Sequence, residues 1–139
     1  MGNEKRENRI VQVAIKFDND LESRNLDRLP SYFSDDCQIE LLGTTLKGKA
    51  GVRKWLEWLF ENMQEIRLVI INVIVKDNVL FEEYALNAIT ADGSKIQSRH
   101  AEVLEFDDCN KIQKLKLYFD RIDLACSLLE SSLQPQANQ

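Results

Sequence analysis

The sequence predicts an α+β protein with a cone-shaped fold, in which three N-terminal helices pack on a strongly curved antiparallel β-sheet with a mixed edge. Two observations lead to this class. Apolar residues recur at helical spacing in the first half, and from residue 66 the period becomes that of strands. Polar turns then divide the second half into consecutive hairpins, which implies antiparallel order. A curved sheet covered by helices leaves a cone, whose interior is a natural ligand site.

The first half of the chain is mainly helical in its pattern. An amphipathic helix is predicted over residues 10–23, and a second, short helix over residues 26–33 with Asn25 as its N-cap. Residues 37–42 alternate like a strand. The third helix spans residues 50–63, and its two tryptophans, three positions apart, predict that one of them flanks a cavity or an interface.

The second half reads as a meander of four long strands. Residues 67–76 are rich in β-branched side chains, and residues 79–91, 95–106 and 111–119 follow after short polar turns. The last turn is predicted at residues 107–110. A short closing helix or turn is expected after this meander.

One domain is expected over residues 9–130, between a frayed N-terminus at residues 1–8 and a disordered tail at residues 131–139. The composition, with 44% hydrophobic and 29% charged residues, is that of an ordinary globular protein. The 23 acidic residues outnumber the 18 basic ones and give a net charge of −5. This acidity argues against a nucleic-acid or anionic membrane surface as the partner.

The cysteines point to a reducing compartment. Cys37, Cys109 and Cys126 are odd in number, lie far apart and lack CxxC spacing, so that they predict neither a disulfide framework nor a zinc site. The N-terminal segment lacks the apolar core of a signal peptide, and no apolar run approaches the ~20 residues of a membrane span. A cytoplasmic location is therefore expected.

The hairpin over residues 98–119 carries the most informative pattern. In its first arm, one face combines apolar residues with His100 and Glu102, which are two positions apart and so point the same way. Polar groups on such a face either form a pocket or are satisfied core residues. In a pocket the pair can move a proton. In a filled core the two side chains would satisfy each other, or pair with Asn87 or Glu83.

Three segments carry a family resemblance, namely KFDNDLESRNLDRLPSYFSDDCQIEL, GKAGVRKWL and VLEFDDCNKIQKLKLYFDRIDL. With them the chain resembles the nuclear transport factor 2-like superfamily, and within it the SnoaL-like polyketide cyclases and the ketosteroid isomerases. The resemblance spans residues 10–124. It implies the fold more strongly than the function, because this fold hosts isomerases, cyclases, hydrolases, dehydratases and non-enzymes.

The resemblance to the ketosteroid isomerases implies three site positions. The tyrosine that donates to the oxyanion corresponds to Phe17, which has no hydroxyl, and the proton-shuttling aspartate corresponds to Leu41. Glu40 beside it points to the opposite face of the strand. The second oxyanion donor, a protonated aspartate, corresponds to Glu102. One of the three roles is therefore retained.

Two further groups in the superfamily bear on the site. The aspartate that the epoxide hydrolases place on the last strand corresponds to Leu117, which argues against their chemistry. The SnoaL-like cyclases use a histidine and an aspartate, for which His100 and Asp120 are the candidates, although their spacing differs from the cyclase pattern. The structural explanation of Asp120, as a cap of the following turn, is the favoured one.

The resulting hypothesis is a cofactor-independent, metal-free isomerase, cyclase or dehydratase that acts by proton transfer on a small hydrophobic carbonyl compound. The alternative is a non-catalytic domain that binds small molecules or dimerises. The resemblance implies a homodimer. The predicted catalytic residues are His100, Glu102 and Asp120, and the predicted substrate-binding residues are Phe17, Leu41, Trp55, Asn87, Leu115, Leu117 and Phe119.

Overall fold

The computed structural model describes residues 2–120, 124–126 and 129, in which helices cover one face of a β-sheet. The elements along the chain are α1 (Gly2–Glu22), a 3-10 helix (Leu29–Tyr32), β1 (Phe33–Leu41), β2 (Thr44–Lys47), α2 (Gly48–Asn62), β3 (Met63–Lys76), β4 (Val79–Thr90), β5 (Lys95–Phe106) and β6 (Ile112–Phe119). This content confirms the predicted α+β class. None of the helices in these ranges is long and apolar enough to cross a membrane.

The six strands form one mixed sheet in the order β2-β1-β6-β5-β4-β3. The predicted meander is present, because β3 to β6 pair as consecutive antiparallel neighbours. β1 instead pairs in parallel with β6, and β2 pairs antiparallel with β1 at the edge. The parallel pair arises because α2 carries the chain from β2 to the far edge at β3, so that the last strand returns to the side of the first.

The prediction of three helices at the N-terminus needs a correction. The second helix is a single 3-10 turn of four residues, and residues 33–36, expected at its end, belong to β1. Pro30 lies in this turn, where it supplies no N–H donor. The N-cap of this turn is Arg28 and not, as predicted, Asn25, although Asn25 Oδ1 accepts a hydrogen bond from the Arg28 N–H at 3.3 Å. α2 then follows β1 and β2 rather than another helix.

The charged N-terminal segment is helical instead of frayed, because α1 begins at Gly2. Its polar side chains bond to the turns of the sheet. Glu7 Oε2 accepts a hydrogen bond from the Asp77 N–H at 2.9 Å, and Arg6 Nη2 donates to the Asp107 carbonyl at 2.9 Å. The charge of this segment alone does not predict these hydrogen-bond partners. The predicted tail at residues 131–139 lies outside the described residues.

The predicted hairpin has the expected turn and alternation. β5 and β6 are joined at residues 107–110, where the Asp107 side chain accepts hydrogen bonds from the Cys109 and Lys111 N–H groups at 2.9 Å each. Along β5 the buried positions alternate from Ser98 through Phe106. This confirms that His100 and Glu102 share one face, called the inner face here because the helices cover it.

The hydrophobic core lies between α1 and the inner face. Phe17 and Leu21 of α1 pack with Leu104 of β5 and Leu115 of β6 in one buried cluster. α2 adds Leu56 from the side of β1. A second, smaller cluster towards the other end of the inner face borders the cavity described next.

Candidate functional site: an apolar cavity with buried carboxyl groups

A cavity of about 650 Å³ lies between α2 and the inner face of the sheet. This volume falls within the roughly 300–1,000 Å³ of small-molecule sites. The wall is mostly apolar, with a few polar side chains. It consists of Leu21, Leu41, Leu42, Thr44, Leu46, Lys54, Trp55, Trp58, Leu59, Met63, Ile66, Leu68, Tyr84, Leu86, His100, Glu102, Leu117, Phe119 and Leu124.

The structure brings together six of the ten residues that the sequence analysis selected. They come from β1, α2, β5 and β6, whose inner sides meet at this cavity. These six are His100, Glu102, Leu41, Trp55, Leu117 and Phe119. Their roles in catalysis or binding remain predictions.

The other four selected residues lie elsewhere. Phe17 and Leu115 are fully buried in the packed core, and the Phe17 ring meets the Phe33 ring edge-to-face at 5.6 Å between centroids. Asn87 lies on the outer face of β4, since the buried positions of that strand alternate with it. Asp120 is exposed just past the end of β6, where its carbonyl accepts a hydrogen bond from the Leu124 N–H at 3.0 Å.

His100 is held in the cavity wall by contacts on three sides. Its ring stacks between the rings of Tyr84 and Phe119, at centroid distances of 5.3 Å and 4.9 Å. Its Nε2 atom shares a hydrogen bond of 2.7 Å with Ser98 Oγ, which is buried two residues earlier on β5. Stacking on both faces fixes the plane of the imidazole. Ser98 is therefore part of the site, although the sequence analysis assigned it no role.

Glu102 is a buried carboxyl group that faces the same cavity. Burial, followed by the negative charge of Glu82, raises its pKa from 4.5 to about 8. Glu82 lies directly opposite Glu102 in the register of β4 and β5. At neutral pH Glu102 is therefore protonated, and its hydroxyl can donate a hydrogen bond into the cavity.

A third carboxyl group, from Asp18 on α1, completes a cluster behind Glu102. One carboxylate oxygen from each of Asp18, Glu82 and Glu102 lies within 4.8 Å of the others. Asp18 is hydrogen-bonded to Glu82, and burial together with the charges of Glu82 and Glu102 raises the pKa of Asp18 to about 10. Burial also raises the pKa of Glu82, while the hydrogen bond from Asp18 lowers it. Three oxygen ligands at this spacing could also hold a divalent cation.

Asp18 and Glu82 are not among the predicted site residues, although the sequence pattern around each of them indicates burial. Asp18 falls at helical spacing with Ala14 and Leu21 on the apolar side of α1. Glu82 alternates with Leu80 and Tyr84 on the inner face of β4. An acidic residue on an apolar face is the signal that was available for both.

The alternative in which His100 and Glu102 pair with Glu83 inside a filled core needs a correction. Glu83, which was considered as their partner, points to the outer face, where its Oε1 accepts a hydrogen bond from Asn72 Nδ2 at 2.7 Å. The inward residue is Glu82, whose Oε1 is buried and has no hydrogen-bond partner among the described residues. A polar group left unsatisfied in the interior is costly, and such groups are concentrated at functional sites.

Both tryptophans of α2 contact the cavity, where one was expected to flank a cavity or an interface. Trp55 is buried and packs in the main core, whereas 58% of Trp58 is exposed. The two rings thus form an inner and an outer part of the same wall. The exposed ring lies on the solvent side of the cavity.

The fold and the cavity together define a class: an α+β protein with a ligand-sized apolar cavity and a buried carboxyl group in its wall. The chain belongs to the SnoaL-like domain family, whose model matches residues 15–114. The resemblance derived from the sequence is thereby confirmed. A search of curated proteins finds no significant match.

Solved structures share the fold at low sequence identity. An LEH-like epoxide hydrolase from Mycobacterium tuberculosis superposes with a TM-score of 0.81 at 19% identity, covering 92% of this chain and 95% of that one. A protein with a ketosteroid isomerase-like fold from Catenulispora acidiphila, in complex with trimethylamine, has a TM-score of 0.76 at 12% identity, covering 88% and 97%. TerC, co-crystallised with polyporic acid, has a TM-score of 0.75 at 15% identity, covering 86% and 98%.

Proposed function

We propose that this SnoaL-like protein is a cofactor-independent enzyme that moves a proton on a small hydrophobic carbonyl compound. The observation that carries the proposal is the buried carboxyl group of Glu102 in the wall of an apolar cavity, where its pKa of about 8 keeps it protonated at neutral pH. A neutral carboxyl group at neutral pH donates a hydrogen bond to a carbonyl oxygen without the desolvation cost of a buried charge. The apolar wall favours a hydrophobic substrate.

The chemistry divides between two side chains. A proton on the carbon next to the carbonyl passes to the neutral imidazole of His100, and negative charge develops on the carbonyl oxygen of the resulting enolate. The Glu102 hydroxyl donates to that oxygen and stabilises the charge. Return of the proton to a different carbon gives isomerisation. Return to the same carbon gives exchange with solvent.

Two of the similar structures contain a small molecule, trimethylamine in one case and polyporic acid in the other. These ligands support binding of a small molecule in this fold, and they also fit the alternative function, a cavity that binds without catalysis. The cluster behind Glu102 favours catalysis over binding alone, because groups with a strongly shifted pKa are concentrated at catalytic sites.

Acetophenone tests the proposal, since its methyl protons lie next to a carbonyl and its exchange in D₂O can be followed by NMR. We expect the protein to accelerate this exchange and Glu102→Leu, which removes the donor, to lose roughly 10²-fold or more of the acceleration, whereas Glu102→Gln, which keeps a weaker N–H donor, should lose less. Affinity should stay nearly unchanged, because glutamine keeps the shape of the side chain. The rate should fall as pH rises through about 8, where Glu102 loses its proton.

Glu105→Gln is the matched control, because Glu105 lies on the same strand with its side chain outside the buried series. Its exchange rate should equal that of the wild-type protein. Binding of acetophenone without exchange in any of the proteins would identify a receptacle. A rate that is equal in wild type and Glu102→Leu would remove Glu102 from the chemistry.

We also propose that the protein is a homodimer formed through the outer face of the sheet. This face carries exposed apolar side chains, including Val69, Ile74, Phe81 and Tyr118. Val103 lies in the middle of the face, between Phe81 on β4 and Lys116 on β6. A second copy that covers these side chains removes apolar surface from water.

A reducing compartment such as the cytoplasm is the proposed location. Cys37 is a buried free thiol, and Cys109 and Cys126 are exposed free thiols. Exposed thiols without a partner are best tolerated where glutathione keeps them reduced.

A further inference from the structure

The carboxyl groups of Asp18 and Glu82 do not line the cavity, yet they lie against the one that does. Asp18 comes from α1, and Glu82 comes from β4 directly opposite Glu102 on β5. Glu82 and Glu102 are both more than nine-tenths buried, at 2% and 5% exposure. Placing three acidic groups within 4.8 Å of one another in this interior calls for a physical explanation.

Three carboxylates at this distance cannot all be ionised. Each negative charge opposes ionisation of its neighbours. Burial strengthens this repulsion, because little water is present to screen the charges from one another. The hydrogen bond between Asp18 and Glu82 requires a proton on one of the two. The cluster therefore holds protons at neutral pH, and its geometry decides which group keeps the charge.

The hydrogen bond favours Glu82 as the charged member. Burial raises the pKa of both groups, and the hydrogen bond raises that of Asp18 further while it opposes the rise in the pKa of Glu82. The charge of Glu82 in turn raises the pKa of Glu102. Resting on the function proposed above, we propose that Asp18 and Glu82 are positioning residues: Asp18 donates a hydrogen bond to an ionised Glu82, whose negative charge keeps Glu102 protonated as the donor in the cavity.

The remaining titratable groups around the cluster are few among the described residues. Glu22 on α1 adds negative charge near Asp18, Tyr84 on β4 and His100 on β5 share the inner face, and Lys54 on α2 lies in the cavity wall. On β6 the residue opposite Glu102 is the apolar Leu117. Glu82 is accordingly the acidic group in register with Glu102.

A divalent cation is the competing explanation of the same cluster. It would need the three carboxyl groups as ionised oxygen ligands and would release their protons on binding. The burial of the site and the hydrogen bond between two of its members favour shared protons instead. The two explanations predict opposite effects of added metal on Glu102.

The test follows the ionisation of Glu102 itself. In protein labelled with ¹³C at the glutamate carboxyl carbons, Glu102→Gln assigns its NMR signal, and the midpoint of that signal is measured against pH. We expect a wild-type midpoint above neutrality. Glu82→Gln, which removes the charge and keeps the shape, should lower the midpoint by about one pH unit or more.

Two substitutions of Asp18 separate its donor role from a purely structural one. Asp18→Asn retains an N–H donor towards Glu82, so the Glu102 midpoint should stay close to that of the wild type. Asp18→Ala removes the donor, which lets Glu82 take up the proton, and the Glu102 midpoint should fall. Glu83→Gln is the matched control on the outer face of the same strand, and it should change nothing.

Each outcome decides the proposal. An unchanged Glu102 midpoint in Glu82→Gln overturns it, and so does a midpoint that falls when MgCl₂ or CaCl₂ is added to the wild type, since that result identifies a cation site. The titration needs no ligand. Failure of acetophenone exchange alone therefore rejects the proposed function, whereas an unchanged midpoint rejects the roles of Asp18 and Glu82.

Discussion

At the scale of single residues, the site depends on which side chains are charged and which are neutral. His100 is fixed by stacking and by Ser98, and Glu102 is neutral because burial and Glu82 oppose its ionisation. In the proposed function the imidazole accepts a proton beside a carboxyl group that donates a hydrogen bond. Two adjacent titratable groups with different preferences are the usual arrangement for acid–base chemistry.

The neutral state of Glu102 predicts how stability changes with pH. Its pKa is raised from 4.5 to about 8 in the folded protein, so folding takes up a proton between these values. Its contribution to the free energy of unfolding is complete below pH 4.5 and is lost as the pH rises through about 8. Asp18, with a pKa near 10, extends the loss in the same direction.

Urea unfolding at a series of pH values measures this effect. The free energy of unfolding should decrease from mildly acidic to alkaline pH, and the decrease should be smaller in Glu102→Gln, which cannot ionise. Glu105→Gln again serves as the control. Identical pH profiles for wild type and Glu102→Gln would show that Glu102 is not neutral in the folded protein.

At the scale of elements, α2 forms one wall of the cavity through its two tryptophans. Trp55→Ala should lower the free energy of unfolding by about 3 kcal/mol, at the lower end of the range for buried tryptophan because one side of the ring faces the cavity. Trp58→Ala, at the more exposed position, should change it by about 0.5 kcal/mol or less. Chemical denaturation of both variants gives the comparison. Equal effects would mean that the two rings are equally packed.

The local sequence pattern is sufficient to predict some of the elements and not others. The strand period and the polar turn at residues 107–110 predicted the β5–β6 hairpin and the face of His100 and Glu102 correctly. The short helix at residues 26–33 was wrong in extent, because β1 gains pairing with β6 from Phe33 onwards. Ile112, the pairing partner of Phe33, lies 79 positions further along the chain, so that no local pattern contains this pairing.

At the scale of the whole molecule, the proposed dimer makes a prediction about association. The wild-type protein should sediment as a dimer at micromolar concentration, and Val103→Lys should dissociate it, because a lysine buried at the interface without a partner is costly. Val103→Thr, which is β-branched and uncharged, should leave the dimer largely intact. A monomeric wild-type protein would exclude this interface.

The sequence by itself determined the class of the fold, the meander and the pair His100 and Glu102, because periodicity reports which side of a strand or helix is buried. It also determined the family, through segments spread over most of the chain. These properties follow from neighbours in the sequence, whose side-chain directions are set by the geometry of one strand or one helix.

Only the tertiary structure decided which residues meet. Asp18, Glu82 and Glu102 are far apart in the sequence: the register of β4 and β5 places Glu82 opposite Glu102, and the packing of α1 against the inner face adds Asp18 within 4.8 Å. The same packing filled the space around Phe17 and Leu115, which the sequence placed in the cavity. The ionisation of a carboxyl group depends on its distance from other charges and from water, and both distances are set by contacts between elements rather than by the residues on either side of it.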